Sequence, residues 1–393
     1  MGRKKNQRMN SLRLKYLLLV FTSVFLRGLN VSCQDNNHEQ TNYDFTQVDE
    51  IIQSAIKDSA FPGSVVLVSK DRKIIYEKSF GHLTYDDTSA AVNINTIYDI
   101  ASLTKVIATT TAVMICYDKN LFSLNDPVAK YIPEFAQNGK ENVTVKNLLL
   151  HNSGLPAFKR FYKNYSSADE VINDIYRTPL SYETGSKTVY SDLGFIILAK
   201  IVEQVTGKRF DTFCNEEIFN PLQMNSTFFN PPDSLKYKIA PTEFDNNWRN
   251  KLVWGKAHDE TASLLNGVAG HAGLFSTAKD ISNLLQLLLD DGTFDGNQII
   301  KSATVKLFTT RYSDKSTRAL GWDTKSTKKS SAGNLFDITS FGHTGFTGTS
   351  VWVDPTKEVF VVFLTNRIYP TRENKKLYEV RPLLHNAVIN ALD

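Results

Sequence analysis

The chain has 393 residues and a formal net charge of +4, and 41% of its residues are hydrophobic. This composition excludes an intrinsically disordered chain and is sufficient for one large domain or two modest ones. Residues 1–33 hold seven basic and no acidic residues, so the remainder has a net charge of −3 and nothing indicates a nucleic-acid partner.

The first 33 residues have the pattern of a secretory signal. A basic segment, Arg3–Lys15, precedes an apolar run, Tyr16–Leu26, that is shorter than the roughly 20 residues needed to span a bilayer. Ser32–Cys33 then resembles the cleavage site of a bacterial lipoprotein signal. We predict export across the inner membrane, lipidation of Cys33, a polar tether over residues 34–45, and a periplasmic or outer-membrane lipoprotein. Ordinary cleavage nearby and an uncleaved anchor are the alternatives.

The remaining cysteines, Cys116 and Cys214, are too few for a disulfide framework. Two separate buried thiols are the simplest interpretation, with one bridge between them as the alternative.

The first elements after the tether alternate between helix and strand. Apolar residues at helical spacing predict a helix over 47–60, and "SVVLVS" (64–69) and "KIIYEKSF" (73–80) predict two strands around a short turn. A largely apolar helix is predicted from Ser102 to about Asn120. This order implies a sheet covered by helices.

The middle of the chain, from about 124 to 307, is mostly helical in pattern. It includes an amphipathic helix over 193–207 that ends at a glycine, and another over 279–292. The aromatic, asparagine-rich region 231–254 is predicted to be a long ordered loop.

The end of the chain returns to strands, at 321–324, 340–345, 348–354 and 358–366, followed by a helix over about 371–392.

We therefore predict an α/β (α+β) domain over residues 46–390, with one antiparallel sheet flanked by helices. The sheet lobe takes residues from about 46–123 and 308–393, and a mostly helical lobe, about 124–307, is inserted into it. A substrate cleft is expected between the two lobes.

Ser102 and Lys105 are candidates for the chemistry. Residues three positions apart share a helical face, with Cβ atoms about 5–6 Å apart. A serine hydroxyl is a poor nucleophile until a base accepts its proton, and burial lowers the pKa of a lysine toward the neutral form that can do so. Alone, this pair also fits a helix-capping serine beside a solvent-reaching lysine.

Two further motifs follow in order, "YSD" at Tyr190–Asp192 and "HTG" at His343–Gly345. Together with Ser102–Lys105 they resemble the penicillin-recognising serine hydrolases, which include class C β-lactamases, DD-peptidases and related esterases. "NLLLHNSGLP" (147–156) and "FGHTGFTGTSVWVDP" (341–355) are similar to other segments of that family. The resemblance covers roughly residues 46–390 and implies a β-lactamase/DD-peptidase-like fold.

The resemblance assigns roles to individual residues. Ser102 becomes acylated, Lys105 assists the loss of its proton, and Tyr190 passes that proton to the leaving group. Which of Lys105 and Tyr190 is the base stays open. The backbone N–H groups of Ser102 and Phe346 would form the oxyanion hole, with Thr344 and Gly345 beside the substrate. No metal or cofactor is implied.

Two residues depart from the family pattern. Asp192 replaces an asparagine and is expected to hold Lys105 charged or to favour a substrate that carries an amine. His343 replaces a lysine, so we expect a weaker, pH-dependent hold on a substrate carboxylate. In a separate segment, His258, Asp259 and His271 lack the spacing of a metal site and are predicted to be structural, with His271 lining the cleft as an alternative.

The resemblance implies a hydrolase of cell-wall D-amino-acid peptides, of DD-carboxypeptidase or endopeptidase type. The alternatives are a small-ester hydrolase, a weak class C-like β-lactamase, or a non-enzymatic penicillin-binding sensor or trap. The expected partners are peptidoglycan peptides or small molecules, with β-lactams as acylating ligands.

Overall fold

A six-stranded antiparallel sheet lies at the centre of the computed structural model, which describes residues 43–393. Its strands follow the spatial order 323–324, 341–344, 350–354, 359–365, 63–70 and 73–81. The strand 63–70 pairs with the strand 359–365, so that Ser64 lies opposite Thr365 and Lys70 opposite Val359. The prediction that both ends of the domain join one sheet is confirmed. The predicted signal, Cys33 and most of the predicted tether lie outside the described residues.

The strands of the described part are these: β1 Gly63–Lys70, β2 Lys73–Gly81, β3 Tyr98–Asp99, β4 Phe228–Phe229, β5 Phe244–Asp245, β6 Lys251–Leu252, β7 Leu274–Ser276, β8 Thr293–Phe294, β9 Asn297–Gln298, β10 Asp323–Thr324, β11 Phe341–Thr344, β12 Ser350–Asp354 and β13 Val359–Thr365.

The α-helices of the described part are these: α1 Thr46–Lys57, α2 Thr111–Asp118, α3 Val145–Leu149, α4 Ala168–Arg177, α5 Asp192–Thr206, α6 Phe210–Cys214, α7 Glu260–Leu264, α8 Ala278–Leu289, α9 Ser302–Thr309 and α10 Leu377–Asn390.

Both faces of the sheet are covered, which explains the continuous apolar run of β1. Successive side chains of a strand point to opposite faces. Val65 and Leu67 enter a large core shared with α2, α5 and α8. Val66 and Val68 enter a second core formed with α1 and α10. The terminal helices therefore close one face of the sheet, and the helices from the middle of the chain close the other.

Three predicted elements differ from the observed ones. The helix expected from Ser102 begins as a 3₁₀ turn, Ala101–Leu103, continues as a π-helix, Lys105–Thr110, and becomes α-helical only in α2. The predicted loop 231–254 contains a 3₁₀ helix, Asp233–Lys238, and the β5–β6 hairpin. The last helix begins at Leu377 rather than near 371.

Cys116 and Cys214 are both buried and free, as the simpler interpretation predicted. Phe45, at the end of the predicted tether, is buried with its ring centroid 4.6 Å from that of Tyr76. Within residues 43–393, no helix has the length and apolar character needed to cross a membrane.

Candidate active site

Ser102 lies in a strained turn that follows β3. Ala101 has φ +46°, a left-handed conformation that is unfavourable for a residue with a Cβ. The buried carboxylate of Asp99 holds the turn by accepting hydrogen bonds from Ala101 N–H at 2.8 Å and His258 N–H at 2.7 Å. This turn places Ser102 on the wall of a cleft, at the start of the helical segment.

Lys105 is fully buried below Ser102, and its ammonium group has three polar partners. Its Nζ lies 3.1 Å from Ser102 Oγ, 2.9 Å from the carbonyl oxygen of His271, and 2.7 Å from Asp192 Oδ1. Ser102 and Lys105 are therefore in contact, as their spacing predicted, and the Asp192 carboxylate also contacts Lys105.

The charge state of Lys105 differs from the sequence expectation. Burial alone would lower the pKa of Lys105, but the Asp192 carboxylate and the Tyr190 hydroxyl outweigh it and raise the pKa above its usual value. The expectation that burial makes Lys105 neutral is wrong, because a carboxylate replaces the usual amide. The alternative stated for Asp192, that it holds Lys105 charged, agrees with this direction.

The loop before α5 is held by the segment 147–157, most of which the sequence analysis found similar to the family. Ser191 N–H donates to His151 Nδ1 at 3.0 Å, and Asp192 N–H donates to the Ala157 carbonyl at 2.8 Å. The rings of His151 and Tyr190 lie 4.6 Å apart between centroids, and Lys105 Nζ lies 4.8 Å from the centre of the Tyr190 ring. His151 therefore acts as a support for the Tyr190 side chain.

The turn after β11 is joined to the chain just before Ser102. Thr347 Oγ1 donates to the Asp99 carbonyl at 2.6 Å, and Thr349 Oγ1 donates to the Ile100 carbonyl at 3.1 Å. A Cβ on Gly345 would lie 2.1 Å from Thr349 Oγ1 and 2.5 Å from the Ile100 oxygen. Glycine is required there, and the close approach places Phe346 at the cleft beside Ser102.

His343 is buried, and its ring lies 5.8 Å from that of Tyr190. Burial and the cations Arg318 and Lys105 hold the pKa of His343 well below its usual value. Its Nδ1 lies 2.9 Å from the Thr344 carbonyl oxygen, which can only accept, so the ring carries a proton on Nδ1. A neutral ring agrees with the expected weaker hold on a substrate carboxylate, whereas the expected pH dependence near pH 6.5 does not fit a pKa held well below that value. The substrate-binding role of His343 stays a prediction.

Arg318 contacts a candidate site residue and was not identified from the sequence. Its guanidinium carbon lies 5.2 Å from the centre of the Tyr190 ring, and its Nη1 is 3.9 Å from Asp323 Oδ1. It precedes the short edge strand β10 and belongs to none of the three motifs, so no local pattern signals it.

The cleft has a volume of about 650 Å³. Ser102, Tyr190 and Asp192 line it, with Phe346 on one wall. The other wall includes the segment 158–163, in which Phe158 is 62% exposed. The cleft therefore extends well beyond the space around Ser102.

Acidic and histidine residues near the cleft contact one another. His271 Nε2 lies 2.8 Å from Asp259 Oδ1, and His258 Nε2 lies 3.0 Å from Glu243 Oε1. Arg372 pairs with Glu243. The part of the chain that is described holds no cluster of three or more histidine, cysteine or acidic residues arranged for a metal ion.

The fold and the comparisons with known proteins define this protein as a serine hydrolase of the β-lactamase and penicillin-binding protein class. The sequence profile of the family described as Beta-lactamase matches residues 48–385, and the chain belongs to this family.

Two relatives and one solved structure illustrate the range of similar proteins. An Escherichia coli (strain K12) protein named "Putative D-alanyl-D-alanine carboxypeptidase" is 33% identical over 404 residues, covering 93% of this chain and 90% of the relative. A Bacillus subtilis (strain 168) protein named "N-acetylmuramyl-L-alanine amidase" is 33% identical over 371 residues, covering 85% and 84%.

The structure of an octameric penicillin-binding protein homologue from Pyrococcus abyssi matches with a TM-score of 0.68 at 22% identity, covering 86% of this chain and 76% of that one. At this identity the likeness describes the fold alone.

Proposed function

We propose that this chain hydrolyses D-amino-acid peptides of the bacterial cell wall through an acyl-enzyme on Ser102. The observation that carries the proposal is the contact of Ser102 Oγ with Lys105 Nζ at 3.1 Å, in a cleft that Asp192 and Tyr190 also line. Ser102 Oγ would attack the carbonyl carbon of the scissile amide, the amine would leave with a proton, and water would then hydrolyse the acyl ester.

The charge on Lys105 favours Tyr190 as the group that relays the proton. A protonated lysine cannot accept a proton, and the raised pKa of Lys105 keeps it protonated at neutral pH. Lys105 Nζ lies 4.8 Å and the Arg318 guanidinium carbon 5.2 Å from the centre of the Tyr190 ring, so two cations lie beside the group proposed to relay the proton. Lys105 then stabilises the attacking oxygen as a fixed cation.

The backbone N–H groups of Ser102 and Phe346 are proposed to bind the oxyanion. Ser102 and Phe346 both line the cleft. The hydroxyl groups of Thr347 and Thr349 bond the chain just before Ser102 and so hold the turn that carries Phe346 against it. Donors held in place before the reaction stabilise developing charge without reorganisation.

Arg318 is proposed to attract the terminal carboxylate of the substrate, because His343 is neutral. A carboxypeptidase needs a positive charge beside the last residue of its substrate. A charge-assisted hydrogen bond contributes about 1.5–3 kcal/mol, which corresponds to a change in KM of about ten- to a hundredfold.

The test is the release of D-alanine from a peptide that ends in D-Ala-D-Ala, assayed with the wild-type protein, Ser102→Ala and Arg318→Gln. We expect no release by Ser102→Ala, and a KM raised at least about tenfold in Arg318→Gln. The same peptide with a terminal carboxamide is the matched control, since its KM should not respond to Arg318→Gln. Wild-type protein that releases no D-alanine would exclude the carboxypeptidase.

A second candidate is an amidase that cleaves the bond between N-acetylmuramic acid and L-alanine. The Bacillus subtilis relative carries that name at the same 33% identity as the carboxypeptidase-named relative. The long cleft wall, with exposed Phe158 and the exposed cation Arg160, supports a substrate larger than a dipeptide. Cleavage of N-acetylmuramyl-L-alanine without D-alanine release would select the amidase.

We also propose that the mature protein is exported and anchored through a lipid on Cys33. The support is the basic and apolar pattern of the leader and the serine before the cysteine. Cys33→Ser should release the protein from the membrane fraction. Retention of that variant in the membrane would exclude lipidation as the anchor.

A further inference from the structure

The last helix places a buried arginine directly behind the turn that carries Phe346. Arg381 is 4% exposed, and its Nη2 donates to the carbonyl of Thr349 at 2.8 Å and to the carbonyl of Gly345 at 3.2 Å. These carbonyls lie at the two ends of the turn that follows β11.

Arg381 has no acidic partner among residues 43–393. Two backbone carbonyls hold its guanidinium, and its Nε has no hydrogen-bond partner there. Burial and the neighbouring Arg367 lower the pKa of Arg381 to about 9, so it remains charged at neutral pH. A buried cation without a counter-ion is unfavourable, and a neutral amide could hold the same two carbonyls. Holding the turn therefore does not explain why this residue carries a positive charge.

The carbonyl of Gly345 and the N–H of Phe346 belong to one peptide group. This peptide is trans, since the only cis bond among the described residues is Tyr369–Pro370. The carbonyl and the N–H of a trans peptide point in opposite directions. A cation that binds the carbonyl oxygen withdraws electron density from the peptide and strengthens its N–H as a donor, as in cooperative hydrogen-bond chains.

We propose that Arg381 is a positioning residue for acyl transfer, which polarises the Gly345–Phe346 peptide and so strengthens the Phe346 N–H as an oxyanion donor. This inference rests on the proposed function, because it requires that the Phe346 N–H faces the reacting carbonyl. Removal of an oxyanion donor lowers kcat about a hundred- to a thousandfold. The loss of polarisation alone should have a smaller effect, about two- to eightfold, since cooperative strengthening is about 10–30% of one bond.

Three variants separate charge from shape. Arg381→Lys keeps the positive charge, and Arg381→Gln keeps a neutral donor. His385→Gln is the matched control: it changes a buried side chain one turn further along the same helix, whose ring nitrogen bonds the Arg381 carbonyl and not the turn. If Arg381→Gln does not fold, Arg381→Met takes its place, and thermal unfolding verifies the fold of each variant.

The measurement is the affinity for phenylboronic acid, followed by calorimetry and by the ¹¹B resonance of a tetrahedral adduct, together with kcat and KM for p-nitrophenyl butyrate. The serine oxygen adds to boron, and a boron-bound oxygen occupies the oxyanion position. We expect Arg381→Gln to bind the boronic acid about two- to eightfold more weakly and to lower kcat about two- to eightfold, with little change in KM. Arg381→Lys should retain most of the affinity for the boronic acid and most of kcat. His385→Gln should match wild type in both quantities.

Two results would overturn the inference alone: Arg381→Gln equal to wild type, or an equal loss in the Lys and Gln variants, which would assign Arg381 a structural role. The proposed function itself would be contradicted if the wild-type protein formed no tetrahedral adduct, or if Ser102→Ala still formed one. The inference about Arg381 would then be wrong as well, because it depends on the proposed function.

Discussion

At the scale of single residues, Asp192 determines the chemistry available to Lys105. The carboxylate oxygen lies 2.7 Å from Lys105 Nζ and raises the pKa of that lysine against the effect of burial. With an asparagine at this position, no negative charge would oppose the lowering of the Lys105 pKa by burial. One side-chain exchange therefore changes a lysine that could act as a base into a fixed cation.

Asp192→Asn should lower the pKa of Lys105, because it removes the carboxylate that raises it. Activity that depends on charged Lys105 is present below that pKa and lost as the pH rises through it. We expect the high-pH limb of the kcat/KM profile to move to lower pH in this variant. Asp211→Asn, which breaks an ion pair with Arg209 on the surface, is the control and should leave the profile unchanged. A limb that does not move in Asp192→Asn would show that Asp192 does not set the charge of Lys105.

At the scale of elements, the start of the Ser102 segment is an irregular turn instead of a regular helix. The motif spacing correctly predicted that Ser102 and Lys105 share a face, because a 3₁₀ turn followed by a π-helix also brings residues three apart together. The left-handed Ala101 could not be predicted, since it depends on Asp99, whose partner His258 is distant in the sequence.

Replacement of Ala101 by glycine tests this strain. Glycine adopts positive φ without the Cβ penalty of about 1–2 kcal/mol, and this gain outweighs its larger loss of chain entropy, about 0.5–1 kcal/mol. We expect Ala101→Gly to be neutral or stabilising by up to about 1 kcal/mol in denaturant unfolding.

Ala108→Gly is the matched control, because Ala108 is buried within the π-helical segment. Ala108→Gly should lower the free energy of unfolding by about 1 kcal/mol or more. If both glycine variants were destabilised equally, the turn at Ala101 would not be strained.

The last helix shows why the ends of some helices cannot be predicted from the sequence. Residues 371–376 were predicted to be helical, but their polar groups bond other segments: Arg372 pairs with Glu243, and the Asn374 side chain donates to the Ser59 carbonyl at 2.8 Å. These partners are remote in sequence, so helical spacing alone places the start of the helix too early.

At the scale of the whole molecule, both ends of the domain build one sheet, and this could be predicted from strand patterns near each end. The lowered pKa of His343 and the positions of Arg318 and Arg381 could not. They follow from burial and from neighbours contributed by distant segments. Motif order located Ser102, Lys105, Tyr190 and Asp192, whereas only the packed structure gives the direction in which the pKa of Lys105 is shifted.

Buried neutral histidines predict sensitivity to acid. Burial lowers the pKa of His385 to about 4, and the pKa values of His151 and His343 are also well below the usual value. For each group, the unfolded chain takes up a proton below about pH 6.5 while the folded state does not. This part of the stability is present above about pH 6.5 and is lost as the pH falls toward the folded pKa.

The contribution of His385 amounts to about 3 kcal/mol of unfolding free energy between pH 7 and pH 4. Denaturant unfolding at a series of pH values should therefore show a shallower loss of stability in His385→Gln than in wild type. A pH dependence that is identical in the two proteins would contradict a neutral His385 in the folded state.

The most direct test of the central claim is to locate the acyl group during turnover of p-nitrophenyl butyrate, by acid quench, proteolysis and mass spectrometry. We expect one butyryl group per chain on the peptide that contains Ser102, accompanied by a burst of p-nitrophenol of equal stoichiometry, and neither in Ser102→Ala. An acyl group on another residue, or full turnover by Ser102→Ala, would contradict the assignment of Ser102 as the nucleophile.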